Sequence, residues 1–205
     1  GGKVSSYFYD EKEDTFTKQS SLPTKGDHTC VIAVDKKNRY LIAGNYSGGN
    51  IIVFSLDEKG TILKEIQRID HFGSNPNSDR QEKSHIHDLV FQPNQKKLFV
   101  TDLGSDKIYI YDFNPKASEP LKPSKIPFVA IKKGSGPRHL IFNQKGTYFY
   151  VINELTADME VYSYSNQSII LKQSVSLALP NTESDKSGAE IKISVKGKYL
   201  YATNR

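Results

Sequence analysis

Leu41-Ile-Ala-Gly-Asn45 returns along the chain as Leu98-Phe-Val-Thr-Asp102, Phe149-Tyr-Val-Ile-Asn153 and Leu200-Tyr-Ala-Thr-Asn204, with first residues 57, 51 and 51 positions apart. Each copy is a short apolar run that ends in Asn or Asp. Self-similarity at a period of roughly 50 residues is the mark of a repeat architecture. Around each copy the same order of segments recurs. The clearest unit runs through His139-Leu-Ile-Phe-Asn143, a turn at Gln144-Lys-Gly146, Thr147-Tyr-Phe-Tyr-Val-Ile152, Met159-Glu-Val-Tyr-Ser-Tyr164 and Ile169-Ile-Leu-Lys-Gln-Ser-Val175. Period-2 alternation, β-branched and aromatic enrichment and Gly/Asn/Asp turns predict antiparallel strands. No stretch carries a helical period with caps.

Four short strands per repeat is the pattern of a β-propeller blade, a twisted sheet whose faces are buried by stacking on its neighbours. The expected fold is therefore all-β: a partial β-propeller over residues 1–205, without a second domain. Gly1-Gly-Lys-Val-Ser-Ser-Tyr-Phe-Tyr9 aligns with Gly48-Gly-Asn-Ile-Ile-Val-Phe54, a third strand, and the chain ends on a second strand. The expectation is half a blade, three whole blades and another half blade, as a section of a larger ring. The neighbour of Lys107-Ile-Tyr-Ile-Tyr111 reads as a Pro-rich outer connection. Ile66 to Ser84, the longest insertion, reads as a polar surface loop over the channel mouth.

Composition narrows the class. Apolar residues make up 37% and charged residues 25% of 205, ordinary for a folded globular chain, and no apolar run reaches membrane-spanning length. The N-terminal residues lack a signal-peptide pattern. Cys30 is the only cysteine, so no intrachain disulfide forms, and a cytoplasmic location is expected. Cys30 itself reads as a buried core thiol. The net charge of +5 comes from lysines scattered over turns, while the aromatic residues fall inside strand patterns. That reads as a solvated surface with a weak attraction for small anions, not as a nucleic-acid platform or a membrane face.

Function is sought where the repeats differ. Eleven residues before the four anchors stand Cys30, His87, Arg138 and Ala189, and one place later Val31, Asp88, His139 and Glu190. After the recurring Asn or Asp come Tyr46, Leu103, Glu154 and Arg205. In a propeller these points share one rim of the central channel, and here they change from apolar to ionisable from blade to blade. Glu154 suits a general base, the forks of Arg138 and Arg205 suit anionic oxygens or an oxyanion, and His87 suits proton transfer near neutral pH. The competing reading of Glu154 with its arginines is a salt bridge between blades. His85 reads as a supporting group, His139 as a structural histidine, Asp88 and Glu190 as polar blade links, and the recurring Asn/Asp residues as turn formers. Neither a phosphate-binding glycine loop nor paired cysteines occur, and Ser84-His-Ile-His87 is weak as a metal motif. No cofactor and no metal are expected.

Ser84-His-Ile-His-Asp-Leu-Val-Phe-Gln-Pro-Asn94, Thr101-Asp-Leu-Gly-Ser-Asp106, Gly134-Ser-Gly-Pro-Arg-His-Leu-Ile-Phe142, Val151-Ile-Asn-Glu-Leu155, Gly188-Ala-Glu-Ile-Lys-Ile193 and Tyr201-Ala-Thr-Asn-Arg205 occur in this order. Together they resemble the lactonase seven-bladed β-propeller family, which includes 6-phosphogluconolactonases and carboxy-cis,cis-muconate cyclase. The resemblance implies catalytic roles for His87, Arg138, Glu154 and Arg205, with His85 as the alternative to His87; His85, His139 and Glu190 are expected as substrate contacts. It departs from the family pattern at Ile86, where a Pro usually separates the two histidines. It implies a small anionic lactone as partner and hydrolysis of 6-phosphoglucono-1,5-lactone to 6-phosphogluconate as reaction. A lactonising cyclase and a non-enzymatic binding propeller are the alternatives.

Overall fold

A computed structural model of the chain describes residues 1–76, 78–178 and 186–205. Three four-stranded antiparallel sheets follow one another. The first holds β3 (Thr29–Val34), β4 (Tyr40–Asn45), β5 (Asn50–Leu56) and β6 (Ile62–Asp70). The second holds β7 (Ile86–Phe91), β8 (Lys97–Asp102), β9 (Lys107–Phe113) and β10 (Leu121–Ala130). The third holds β11 (Pro137–Phe142), β12 (Tyr148–Asn153), β13 (Asp158–Tyr164) and β14 (Ile169–Ser176). Two-stranded sheets flank them: β1 (Lys3–Asp10) with β2 (Thr15–Pro23), and β15 (Gly188–Ile193) with β16 (Leu200–Asn204). The fold is a partial β-propeller of four-stranded antiparallel blades.

Period-2 geometry explains why the second strands are continuously apolar. On β8, Leu98 and Val100 pack back against Ile42, Ile51 and Val53 of the preceding blade. Phe99, between them, points the other way into Leu140, Phe142, Phe149 and Val151 of the next blade. Both faces are buried, so polar alternation is absent. Phe99 meets Phe142 edge-on at 4.9 Å and Phe149 at 5.5 Å between ring centroids. Burying a side chain of this size is worth about 3 kcal/mol.

The repeat extends to the backbone. The turn between first and second strands places Asn38, Gln95, Gly146 and Gly197 at positive φ, between 52° and 67°. Each inner strand also carries a β-bulge at one equivalent place, because Thr29, Ile86, Pro137 and Gly188 pair with Asn45, Asp102, Asn153 and Asn204 before the register slips. In the first three the extra residue is Cys30, His87 and Arg138. A bulge bends the strand and re-aims a side chain.

Three expectations are corrected. The Pro-rich segment is not a connection: it is the ten-residue β10, with Pro123 and Pro127 tolerated because the strand is outermost and its register breaks between Pro123 and Phe128. The insertion is not loop from its start, since Ile66 to Asp70 completes β6, and it contains a four-residue helix, α1 (Ser78–Gln81). Cys30 is exposed rather than buried in the core: it is the extra residue of the β3 bulge and lines a groove with His87, Asp88 and His139.

The recurring rim residue is structural at Asp102. It is fully buried, and its carboxylate accepts hydrogen bonds from the backbone N–H groups of His85, Gly104 and Ser105 and from the hydroxyls of Ser84 and Ser105. Asp102→Ala leaves these donors buried without partners and is expected to cost about 3 kcal/mol. Urea unfolding of the variant checks this; a loss below about 0.5 kcal/mol, the size of an ordinary surface substitution, overturns it.

Candidate active site

Glu154 follows the last residue of β12 and is almost fully buried. Its backbone is fixed on both sides, with its N–H donating to the Gly136 carbonyl at 2.7 Å and its carbonyl accepting from Gly188 N–H at 3.0 Å. The carboxylate is therefore placed by the backbone of two adjacent sheets.

Four cationic or protonatable groups converge on it. Oε2, the inner oxygen, lies 2.9 Å from Arg138 Nε and 3.5 Å from His87 Nε2. Oε1 lies 2.5 Å from Arg80 Nη2 and 3.6 Å from Arg205 Nη2. The two sets differ in shelter. The side chains of Arg138 and His87 are 16% and 14% exposed, those of Arg80 and Arg205 44% and 60%. Burial by itself pushes the Glu154 carboxyl up, but the approach of His87 and Arg80 outweighs it and holds the group down at about 2.

The bulges explain the aim of the inner pair. His87 and Arg138 are the extra residues of β7 and β11, and Arg138 is further braced by a hydrogen bond from Nη1 to the Ala189 carbonyl. The Arg138 carbonyl accepts from Thr101 Oγ1 of the preceding blade at 2.7 Å. Arg205 is steadied by Nε donating to Ser187 Oγ at 3.2 Å.

His87, Arg138, Glu154 and Arg205, singled out from the repeat frame, thus meet around one carboxylate. The other three candidates do not face it. His85 stacks on Tyr46 with ring centroids 4.4 Å apart, and its ring nitrogens reach the Tyr46 carbonyl at 3.1 Å and Glu82 at 3.1 Å. His139 and Glu190 pair with each other at 3.0 Å on the channel wall, where they line a groove of about 440 Å³ with Cys30, His87, Asp88 and Lys192. Burial lowers the His139 pKa, against the pull of Asp88 and Glu190. Asp88 links blades, accepting the Leu140 N–H at 2.9 Å.

Two site residues stand outside the candidate set named from the sequence. Tyr46 occupies the same repeat position as Glu154 and Arg205; its ring meets His87 edge-on at 5.6 Å, and its hydroxyl accepts from Arg80 at 3.3 Å. Its membership of that aligned column was the available signal. Arg80 lies in the insertion, which has no counterpart in the other repeats, so periodicity carried no signal for it. Among the described residues no group of three or more His, Cys, Asp or Glu side chains is arranged to hold a metal ion, and no helix is long and apolar enough to cross a membrane.

Comparison with known proteins settles the ancestry. The family model described as "Lactonase, 7-bladed beta-propeller" matches residues 1–205. The chain belongs to this family. It is 32% identical over its full length to a 6-phosphogluconolactonase of Formosa agariphila and 30% identical to the 6-phosphogluconolactonase of Bacillus subtilis, covering 58% and 57% of those proteins. The solved structure of a periplasmic gluconolactonase of Pseudomonas aeruginosa superposes with a TM-score of 0.93 at 30% identity, over all of this chain and 57% of that one. The chain spans somewhat over half the length of the relatives it matches.

Glu154 is held below its unfolded value of 4.5, so its contribution to stability is present above about pH 4.5 and is lost as the pH falls toward about 2. Glu154→Gln is expected to lower stability near neutral pH, with the difference from wild type closing across that acid window. Denaturant unfolding of both proteins between neutrality and acid measures it; a difference independent of pH contradicts the ion-pair account.

Proposed function

We propose that the protein hydrolyses sugar lactones, with 6-phosphoglucono-1,5-lactone opened to 6-phosphogluconate in the pentose phosphate pathway as its reaction. The observation that carries this reading is a single buried carboxylate, Glu154, within reach of three guanidinium groups and one imidazole. A salt bridge that merely joined two blades needs one cation. Three arginines and a histidine on one carboxylate leave an excess of positive charge at the mouth, which suits an anionic substrate and a developing oxyanion. The names of the relatives, 6-phosphogluconolactonase and gluconolactonase, support the same substrate class. A cytoplasmic setting belongs to this reading, supported by the single cysteine, Cys30, among these 205 residues.

In this scheme water attacks the lactone carbonyl carbon while Glu154 takes its proton. Arg138 holds the oxyanion that forms. The bond from that carbon to the ring oxygen then breaks, and His87 delivers a proton to the departing oxygen. The proton count balances, since Glu154 gains one and His87 loses one, and exchange with solvent restores both. Metal is not required by any step.

The full-length protein is expected to accelerate opening of 6-phosphoglucono-1,5-lactone above the spontaneous rate. Glu154→Gln is expected to lower kcat roughly a hundredfold or more, as for loss of a general base, and Arg138→Ala by a comparable factor through loss of oxyanion stabilisation. Wild-type rates in both variants overturn the assignment of these residues. Absence of any acceleration, or faster turnover of a carboxy-cis,cis-muconate, overturns the activity itself.

A further inference from the structure

The arrangement contains an apparent conflict. A carboxylate held at about 2 is a poor proton acceptor, yet the proposed reaction asks it to take a proton from water. The geometry around its two oxygens offers a resolution. Oε2 is held by the sheltered pair, Arg138 and His87, both on bulged inner strands. Oε1 is held by Arg80, from the insertion between β6 and β7, at 2.5 Å and, at the longer distance of 3.6 Å, by Arg205, which follows β16.

Arg80 is unusually well rooted for a residue of an insertion. Its neighbour Gln81 is fully buried, and Gln81 Nε2 donates both to the Leu103 carbonyl at 2.7 Å and to Asp106 Oδ1 at 2.8 Å. Asp106 in turn accepts the N–H groups of Gly134 and Gly136, both at 2.7 Å, at the loop that leads into β11. The Gln81 carbonyl accepts from Asn75 N–H at 2.9 Å, closing the turn around α1. The base of Arg80 is therefore locked to the second and third blades while its guanidinium stands at the solvent side of the carboxylate. The Tyr46 hydroxyl, 3.3 Å from Nη2, offers a second acceptor along its path.

We propose that Arg80, assisted by Arg205, is the specificity-determining seat for the remote anionic group of the substrate, exchanging the Glu154 carboxylate for a phosphate when a phosphorylated lactone binds. This rests on the lactone-hydrolase reading of the same site. A guanidinium fork fits a phosphate as well as a carboxylate, so the exchange replaces one charge-assisted pair with another. Arg138 and His87 stay in place on Oε2. Glu154 loses its strongest outer partner in the same event, which makes it a better base only in the complex that needs one. A neutral lactone offers nothing to draw Arg80 away, so Glu154 stays latched.

The test compares the full-length wild-type protein with Arg80→Gln, Arg80→Lys and Arg205→Gln on 6-phosphoglucono-1,5-lactone and on unphosphorylated glucono-1,5-lactone. Arg80 is exposed at the surface, so the substitutions are not expected to unfold the protein, and far-ultraviolet circular dichroism verifies this. The expected result is that Arg80→Gln lowers the ratio of kcat/KM for the phosphorylated over the neutral lactone at least tenfold, with the loss mainly in KM. Arg80→Lys, which keeps the charge but not the fork, falls between. A ratio within twofold of wild type overturns the proposal. A second arm is independent of turnover: calorimetric titration with 6-phosphogluconate and with gluconate. Arg80→Gln is expected to weaken 6-phosphogluconate at least tenfold and gluconate much less. If wild type opens neither lactone, the lactonase reading fails while this binding arm still decides the anion seat; equal weakening of both ligands, or of neither, overturns it.

Discussion

Each four-stranded sheet is too thin to hide its own apolar faces, and the rest of the structure follows from the way neighbours hide them. The second strand of each blade sends alternate side chains to opposite sides, so that Leu98 and Val100 fill one interface and Phe99 the next. That packing sets the blades side by side in one register. It brings the bulged positions of successive inner strands to the same rim, where His87 and Arg138 become neighbours although 51 residues separate them. Side-chain-to-backbone links between blades then reinforce the spacing, as where the Asp88 carboxylate of one blade accepts the Leu140 N–H of the next and the Thr101 hydroxyl donates to the Arg138 carbonyl.

This scaffold also explains how a carboxylate as buried as Glu154 is tolerated. An isolated buried carboxylate is costly, and removing its partners would leave that cost uncompensated. Here the compensation comes from four separate pieces of chain: β7, β11, the insertion and the residue after β16. The ion cluster is therefore both a clasp between blades and a concentration of titratable groups. On the proposed function, the readings of a salt bridge and of an active site, set against each other at the level of sequence, describe one object.

Much of this was legible in the sequence because repetition makes positions comparable. The strand order, the all-β class and four members of the cluster followed from aligning the copies, and the bulge supplies the physical reason why the residue eleven places before each anchor is aimed at the mouth. The misreadings share a cause. Pro123 and Pro127 suggested a connection because prolines disrupt sheet interiors, yet β10 is outermost and its unpaired edge tolerates them. Cys30 looked like a core residue by type, but burial in a propeller depends on whether a position faces a neighbouring blade or the channel. Arg80 was invisible to comparison because its segment has no sister copies.

That last omission has a physical meaning. A repeat can supply a scaffold and variation at fixed points, and it does so for the sheltered half of the cluster, where position must be rigid. On the Oε1 side, Arg80 comes from the insertion, a segment without a counterpart in the other repeats, whereas Arg205 stands at the repeat position of Tyr46 and Glu154. In the function proposed for it, a site divided in this way separates the chemistry at Oε2 from recognition at Oε1. On the proposed reading, a change of preferred lactone requires changes at Arg80 or Arg205 alone, while Arg138 and His87, bound into the stacking of the sheets, keep the reacting geometry.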